Sequence, residues 1–169
     1  MYQLDDFEEQ KNCIEKDLKN WFLGAKKVVI AGIGNPFRKD DFVGVEIVRS
    51  LQEKTSHRVY LVECETVPES FLEPIIEFKP TRVLIIDAAL LNLEPGGLKL
   101  IKPNTIAGIS VSTHSLPLNL FSNYLTMTIG AKVALLAIQP KETGFGEGLT
   151  KKLKETVEIC TNLLSKVLP

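Results

Sequence analysis

Four side chains in this sequence are of types that can share chemistry. Asp40 and Asp41 are adjacent and close to the end of AGIGNPFRKDDFVG (Ala31–Gly44). Asp87 ends the apolar run VLIID, and His114, one of two histidines, lies in the polar turn STH. Two carboxylates and an imidazole form an O/O/N donor set with open positions, which suits zinc, nickel, iron or manganese. The same groups can act as general acid or base. His57, beside Arg58 ahead of a strand, reads as a surface residue.

Each residue also has a plainer role. Asp40 is placed to cap a helix starting near Phe42, a task that needs only one of the pair. Asp87 could be a cap or loop acceptor, although a carboxylate at the end of a buried strand is costly unless paired, protonated or on a metal. Nucleophile triads find little support: there is no G-x-S-x-G, and Ser112, Thr113 and Ser115 flank His114 without an identifiable oxyanion site.

The loop Gly32-Ile33-Gly34-Asn35-Pro36-Phe37 begins like a dinucleotide fingerprint. Its third glycine is replaced by Phe37, Pro36 removes a backbone donor, and two aspartates follow where a pyrophosphate would need positive potential. No G-x-x-x-x-G-K-[ST] occurs. A nucleotide-binding α/β enzyme is therefore the disfavoured reading, and Gly32 and Gly34 are expected to let the chain turn tightly.

The elements that must position these residues alternate. Continuously apolar runs at 26–33, 58–64, 81–90 and 131–140 predict buried, parallel-type strands. Helical spacing is predicted over 4–22, 41–51, 68–78 and 150–168, and 112–127 is a loop leading into a helix. Residues 94–101 predict a short strand too close to its predecessor for a crossover, hence antiparallel. The pattern is a single-domain, three-layer α/β sandwich over 1–169, its first 25 residues a helical extension that packs on the domain. In such folds ligands bind beyond the carboxyl ends of the strands. That edge gathers Asn35, Asp40 and Asp41, Asp87, His114, Gln139 and the Gly144-Phe145 turn.

Bulk properties narrow the classes of function. A chain of 169 residues suits one domain. A net charge of −1, from 20 basic and 21 acidic residues, gives no push toward nucleic acid or an anionic membrane. No apolar run approaches the roughly 20 residues of a membrane span, and the acidic start MYQLDDFEEQKN does not resemble a signal peptide, so a cytoplasmic location is expected. Cys13, Cys64 and Cys160 read as reduced thiols, with Cys64 kept as a site candidate because it lies near a strand end.

With these residues in place, the chain resembles the [NiFe]-hydrogenase maturation endopeptidases, especially the branch serving hydrogenase 3 and related archaeal enzymes. The stretches that carry the resemblance are GIGNPFRKDDFVG, VPES, PTRVLIIDAA, PGGLKLI, STHSLPL and AIQP…GFGEGLT, in family order from about residue 27 to 167. The resemblance implies five strands sandwiched by helices, with one antiparallel edge strand. It implies one cut that removes a C-terminal extension from the hydrogenase large-subunit precursor after nickel insertion. The nickel is held by that precursor, and no organic cofactor is implied. By position, Asp41, Asp87 and His114 are the catalytic, metal-contacting residues, and Asn35, Thr66 and Thr113 are substrate-binding. Where relatives often have D-G-G-T after the second strand, this chain has Glu63-Cys64-Glu65-Thr66. A monomer is expected. The competing reading is a non-catalytic, metal-binding maturation chaperone that uses the same ligands.

Overall fold

The computed structural model describes residues 2–102 and 117–169, with side chains from Glu8 onward. Its strands are β1 (Val28–Ile33), β2 (Val59–Glu65), β3 (Arg82–Ala88), β4 (Leu98–Ile101) and β5 (Lys132–Ile138). Its helices are α1 (Tyr2–Phe22), α2 (Val43–Ser50), α3 (Leu72–Phe78), α4 (Leu118–Ile129) and α5 (Lys151–Val167). One sheet runs in the order β2-β1-β3-β5-β4. The first four are parallel, as their continuously apolar sequences require, and β4 is an antiparallel edge. The short strand does run against β3, but its neighbour is β5, with Leu98 opposite Ile138.

Side chains alternating along the strands feed two apolar layers. One joins Ile30, Leu84, Ile86 and Leu136 to α1, α2 and α5. The other joins Val29, Ile85, Val133 and Leu135 to α3 and α4. The N-terminal helix is part of the first layer: Ile14, Leu18 and Phe22 are buried in it. Arg82 ties that helix to the sheet, donating to the carbonyls of Trp21 and Leu23 at 3.0 and 3.1 Å.

Two predicted helices start differently from expectation. Pro68–Phe71 and Lys39–Phe42 form 3₁₀ turns ahead of α3 and α2. Pro74 falls in the first turn of α3, where its missing N–H breaks no helical bond, so it does not kink the element.

Candidate active site

Close backbone contact brings α2 onto the sheet. A Cβ on Gly44 would overlap the Ile86 carbonyl and lie 2.5 Å from the Ile33 carbonyl oxygen. A Cβ on Gly32 would strike the Gly44 carbonyl and lie 2.7 Å from Cγ2 of Val48. Gly32 is therefore required by close approach, and the turning role expected of it falls to Gly34, at φ +156°. The Gly44–Ile86 contact sets the 3₁₀ turn bearing Asp41 beside the strand end bearing Asp87. Alternation along β3 puts Asp87 on the face of Val83 and Ile85, the layer in which Leu118 at the start of α4 is also buried.

Both carboxylates are buried. Oδ2 of Asp41 accepts the backbone N–H of Asn35 at 2.9 Å, so the second aspartate is anchored to the loop that leaves β1. The Asn35 side chain shapes the same loop, its Oδ1 accepting the N–H of Phe37 at 2.9 Å. Thr66 is half-buried just beyond β2. His114 and Thr113 lie outside the described residues. Among the described residues no three His, Cys, Asp or Glu side chains form a metal-binding group. The described part of the site thus holds two buried carboxylates at one edge of the sheet, Asp41 after β1 and Asp87 at the end of β3, with Asn35 bonded to Asp41.

Asp40 has a different task from the one expected. No side-chain cap bond forms at the 3₁₀ turn or at α2. Fully buried, Asp40 reaches instead across to the glycine-rich segment between β5 and α5. Its Oδ2 accepts from the N–H of Lys141 (3.0 Å), the N–H of Glu142 (2.9 Å) and the hydroxyl of Thr150 (2.9 Å). Its Oδ1 accepts the N–H of Thr150 at 2.7 Å. The two loops also pair through backbone: Gly146 N–H donates to the Phe37 carbonyl at 2.8 Å, and Lys39 N–H donates to the Gly146 carbonyl at 3.0 Å. Sequence reasoning gave Thr150 and Gly146 no role, although both lie in GFGEGLT, one of the stretches that carry the family resemblance.

This bonding also settles the phosphate question raised by the glycines. The N–H groups of Gly34, Asn35, Phe37, Arg38, Lys39, Asp40 and Asp41 all donate to acceptors within the protein. A phosphate cradle needs such donors pointing outward. Here they are consumed, and carboxylates occupy the position.

The end of β2 carries an irregularity. Gly32 pairs with Glu63 and Ile33 with Glu65, leaving Cys64 as an extra residue. Glu65 follows at φ +49°, in the left-handed region that favours glycine. The backbone has the shape glycine would give, without the glycine common in the resembling family. Glu63 binds Arg49 of α2 at 2.8 Å. Cys64 is buried, and its thiol is pushed up to about 12 by burial and by the nearby Glu69 charge. A thiol so resistant to ionisation is a poor nucleophile at neutral pH, which removes Cys64 as a site candidate.

Fold and site define a class: an α/β protein whose sheet-edge site is built on carboxylates where nucleotide-binding relatives of the architecture place backbone donors. Comparison with known proteins narrows it. A family model described as hydrogenase maturation protease matches residues 45–167. The hydrogenase 3 maturation protease of Escherichia coli is 33% identical over 131 residues, covering 77% of this chain and 83% of the relative. A Methanocaldococcus jannaschii protein described as a putative hydrogenase maturation protease is 37% identical over 166 residues, covering 94% of this chain and 95% of its own. The crystal structure of the [NiFe] hydrogenase maturation protease HycI from Thermococcus kodakarensis superposes with a TM-score of 0.83 at 34% identity, covering 89% of this chain and 97% of that one. The chain belongs to the hydrogenase maturation protease family, and its role is that of a protease in hydrogenase maturation.

Proposed function

We propose that this protein is the endopeptidase that removes the C-terminal extension of a [NiFe]-hydrogenase large-subunit precursor once nickel has been inserted. The nickel is part of the substrate, held by the precursor. Asp41, Asp87 and His114, which precedes α4, complete its coordination. The observation that supports this reading is the burial of two carboxylates, Asp41 in the turn that follows β1 and Asp87 at the end of β3, both at the sheet edge where α/β folds bind ligands. Asn35 fixes Asp41 through its backbone N–H, and Asn35, Thr66 and Thr113 are the residues this reading assigns to substrate binding.

Hydrolysis adds a water oxygen to the scissile carbonyl carbon, breaks the C–N bond and delivers a proton to the leaving amine. A carboxylate at Asp41 or Asp87 can take the water proton as general base. The precursor's nickel can polarise the carbonyl or acidify the water. Incubation of the purified protein with nickel-loaded precursor, followed by mass spectrometry of the large subunit, tests the reading. Shortening by the wild type and none by Asp41→Ala or His114→Ala is expected. Normal processing by both variants refutes the site. Binding of the precursor without shortening would instead indicate a maturation chaperone. Among the described residues, no helix is long and apolar enough to cross a membrane.

A further inference from the structure

Each of the four parallel strands leads into a segment that holds at least one large apolar side chain out to solvent, the segment after β3 holding both Leu90 and Leu93. Phe37 follows β1 and is 52% exposed; Val67 follows β2 at 41%; Leu90 follows β3 at 69%; Phe145 follows β5 at 90%. Among the described residues, Phe37 and Phe145 are the two phenylalanines that stand exposed. All four lie beyond the carboxyl ends of the strands, the edge that carries Asp41 and Asp87.

Their exposure is not that of slack loops. Phe37 and Phe145 ride on the paired loops fastened by the Gly146 bonds and the Asp40 carboxylate. Val67 donates its N–H to the Cys64 carbonyl at 3.0 Å and accepts from Ser70 N–H at 3.1 Å. Leu90 sits between two pinned residues: Ala89 N–H donates to the Ile138 carbonyl at 2.9 Å, and Leu91 N–H donates to Oε1 of Gln139 at 2.7 Å. Two nearby charges are spent inside the loops, with Lys39 on Glu142 at 2.6 Å and Arg38 on the Thr143 carbonyl at 3.0 Å, while Lys141, Glu65 and Glu147, the last two each two residues from Val67 or Phe145, are exposed. The rim thus offers a partner apolar contact on a fixed frame bordered by charge, an arrangement that marks interaction sites.

We propose that Phe37, Val67, Leu90 and Phe145 form an apolar collar that docks an apolar stretch of the polypeptide substrate flanking the bond to be cut. The inference rests on the protease reading above and on the collar's place at the same edge of the sheet as the two carboxylates. A Phe37→Ser/Phe145→Ser double variant tests it, with Leu120→Ser/Met127→Ser on the exposed face of α4 as control. Processing of nickel-loaded precursor is followed at several substrate concentrations by mass spectrometry, alongside thermal melting and sedimentation velocity. The expected result is a KM raised about tenfold or more by the double variant, as for loss of aromatic anchors, with kcat, melting and sedimentation unchanged and the control like the wild type. If the wild type cleaves and the double variant keeps its KM, the collar falls while the protease reading stands. An equal rise in the control overturns the collar as well. So does a wild-type dimer that the double variant dissolves, since the collar would then serve a second copy of the chain. A wild type that leaves the precursor uncut overturns the protease reading and the collar with it.

Discussion

Replacing Asp40 by alanine separates two roles by size. A helix-capping aspartate is worth about 1 kcal/mol. The carboxylate here accepts four hydrogen bonds from a segment more than a hundred residues away. Hydrogen bonds to a charged group contribute ~1.5–3 kcal/mol each when the partners stay buried. Lys141 and Glu142 are exposed and regain water once released, so their two bonds count for less; Thr150 is half-buried and loses both of its own. A loss of about 4 kcal/mol follows, which for a domain of this size lowers Tm by ~8–16 °C. The cap role would lower it by only ~2–4 °C. Asp40→Asn should fall between the two. Its carbonyl can take the place of Oδ2 and keep three donors, while its amide opposes the Thr150 N–H, a loss of about 2 kcal/mol. Calorimetry or thermal circular dichroism of the three proteins reads this order, and limited proteolysis should cut residues 141–149 of the alanine variant faster. An Asp40→Ala protein melting within 4 °C of the wild type would refute the clamp.

Four further outcomes follow from the same structure. Gly44→Ala drives a methyl group into the Ile86 and Ile33 carbonyls, which cannot give as a flexible side chain would, and should cost about 3 kcal/mol or more by urea denaturation. Burial pushes both Cys64 and Cys160 up to about 12 from an unfolded value of 9.0, so the unfolded chain loses these protons first. Their stabilisation is complete below pH 9 and is lost as pH rises from 9 toward 12, which urea midpoints against pH will show. Iodoacetamide at pH 8 should label exposed Cys13 alone in the native protein and all three thiols after denaturation, read by intact mass. Because the loop's N–H groups are already bonded, ATP or NAD at millimolar concentration should leave Tm unchanged; a saturable rise would reinstate nucleotide binding.

The strands were legible because a doubly covered parallel sheet demands unbroken apolar runs, and none of the described helices has them. Direction was legible for β4, since its connection is too short for a crossover, but its neighbour was not: the choice of β5 is made by tertiary packing. Helix beginnings were read as plain α because the apolar spacing continues through Lys39–Phe42 and Pro68–Phe71, where the backbone tightens to 3₁₀. Asp87 could be singled out because it is polar at the end of an apolar strand, whereas Asp41 was set apart from Asp40 only by its partners and its position in the motif of the resembling family. Asp40 was misassigned for the opposite reason. A cap is a local relation, visible within a few residues, whereas its true donors at Lys141, Glu142 and Thr150 come together only when β5 lies in the sheet. Cys64 looked accessible from its place near a strand end, and the bulge between Glu63 and Glu65 is what leaves it in the core.

The adjacent aspartates therefore divide one problem between them. A buried carboxylate at a sheet edge is useful only if its backbone cannot shift, and a loop ending in a short 3₁₀ turn has little packing of its own to hold it. Asp40 supplies the restraint by binding a distant loop, and Gly44 supplies the seat by admitting the Ile86 carbonyl where any side chain would clash. Asp41 then stands between two fixed points, anchored to the Asn35 N–H. The order Asp-Asp-x-x-Gly is accordingly a mechanical sequence: clamp, the carboxylate proposed for the reaction, seat. The two aspartates are chemically identical and differ only in where the turn aims them, Asp40 toward Thr150 and Asp41 toward the Asn35 N–H, and that is why position within the motif carries more information than its acidity.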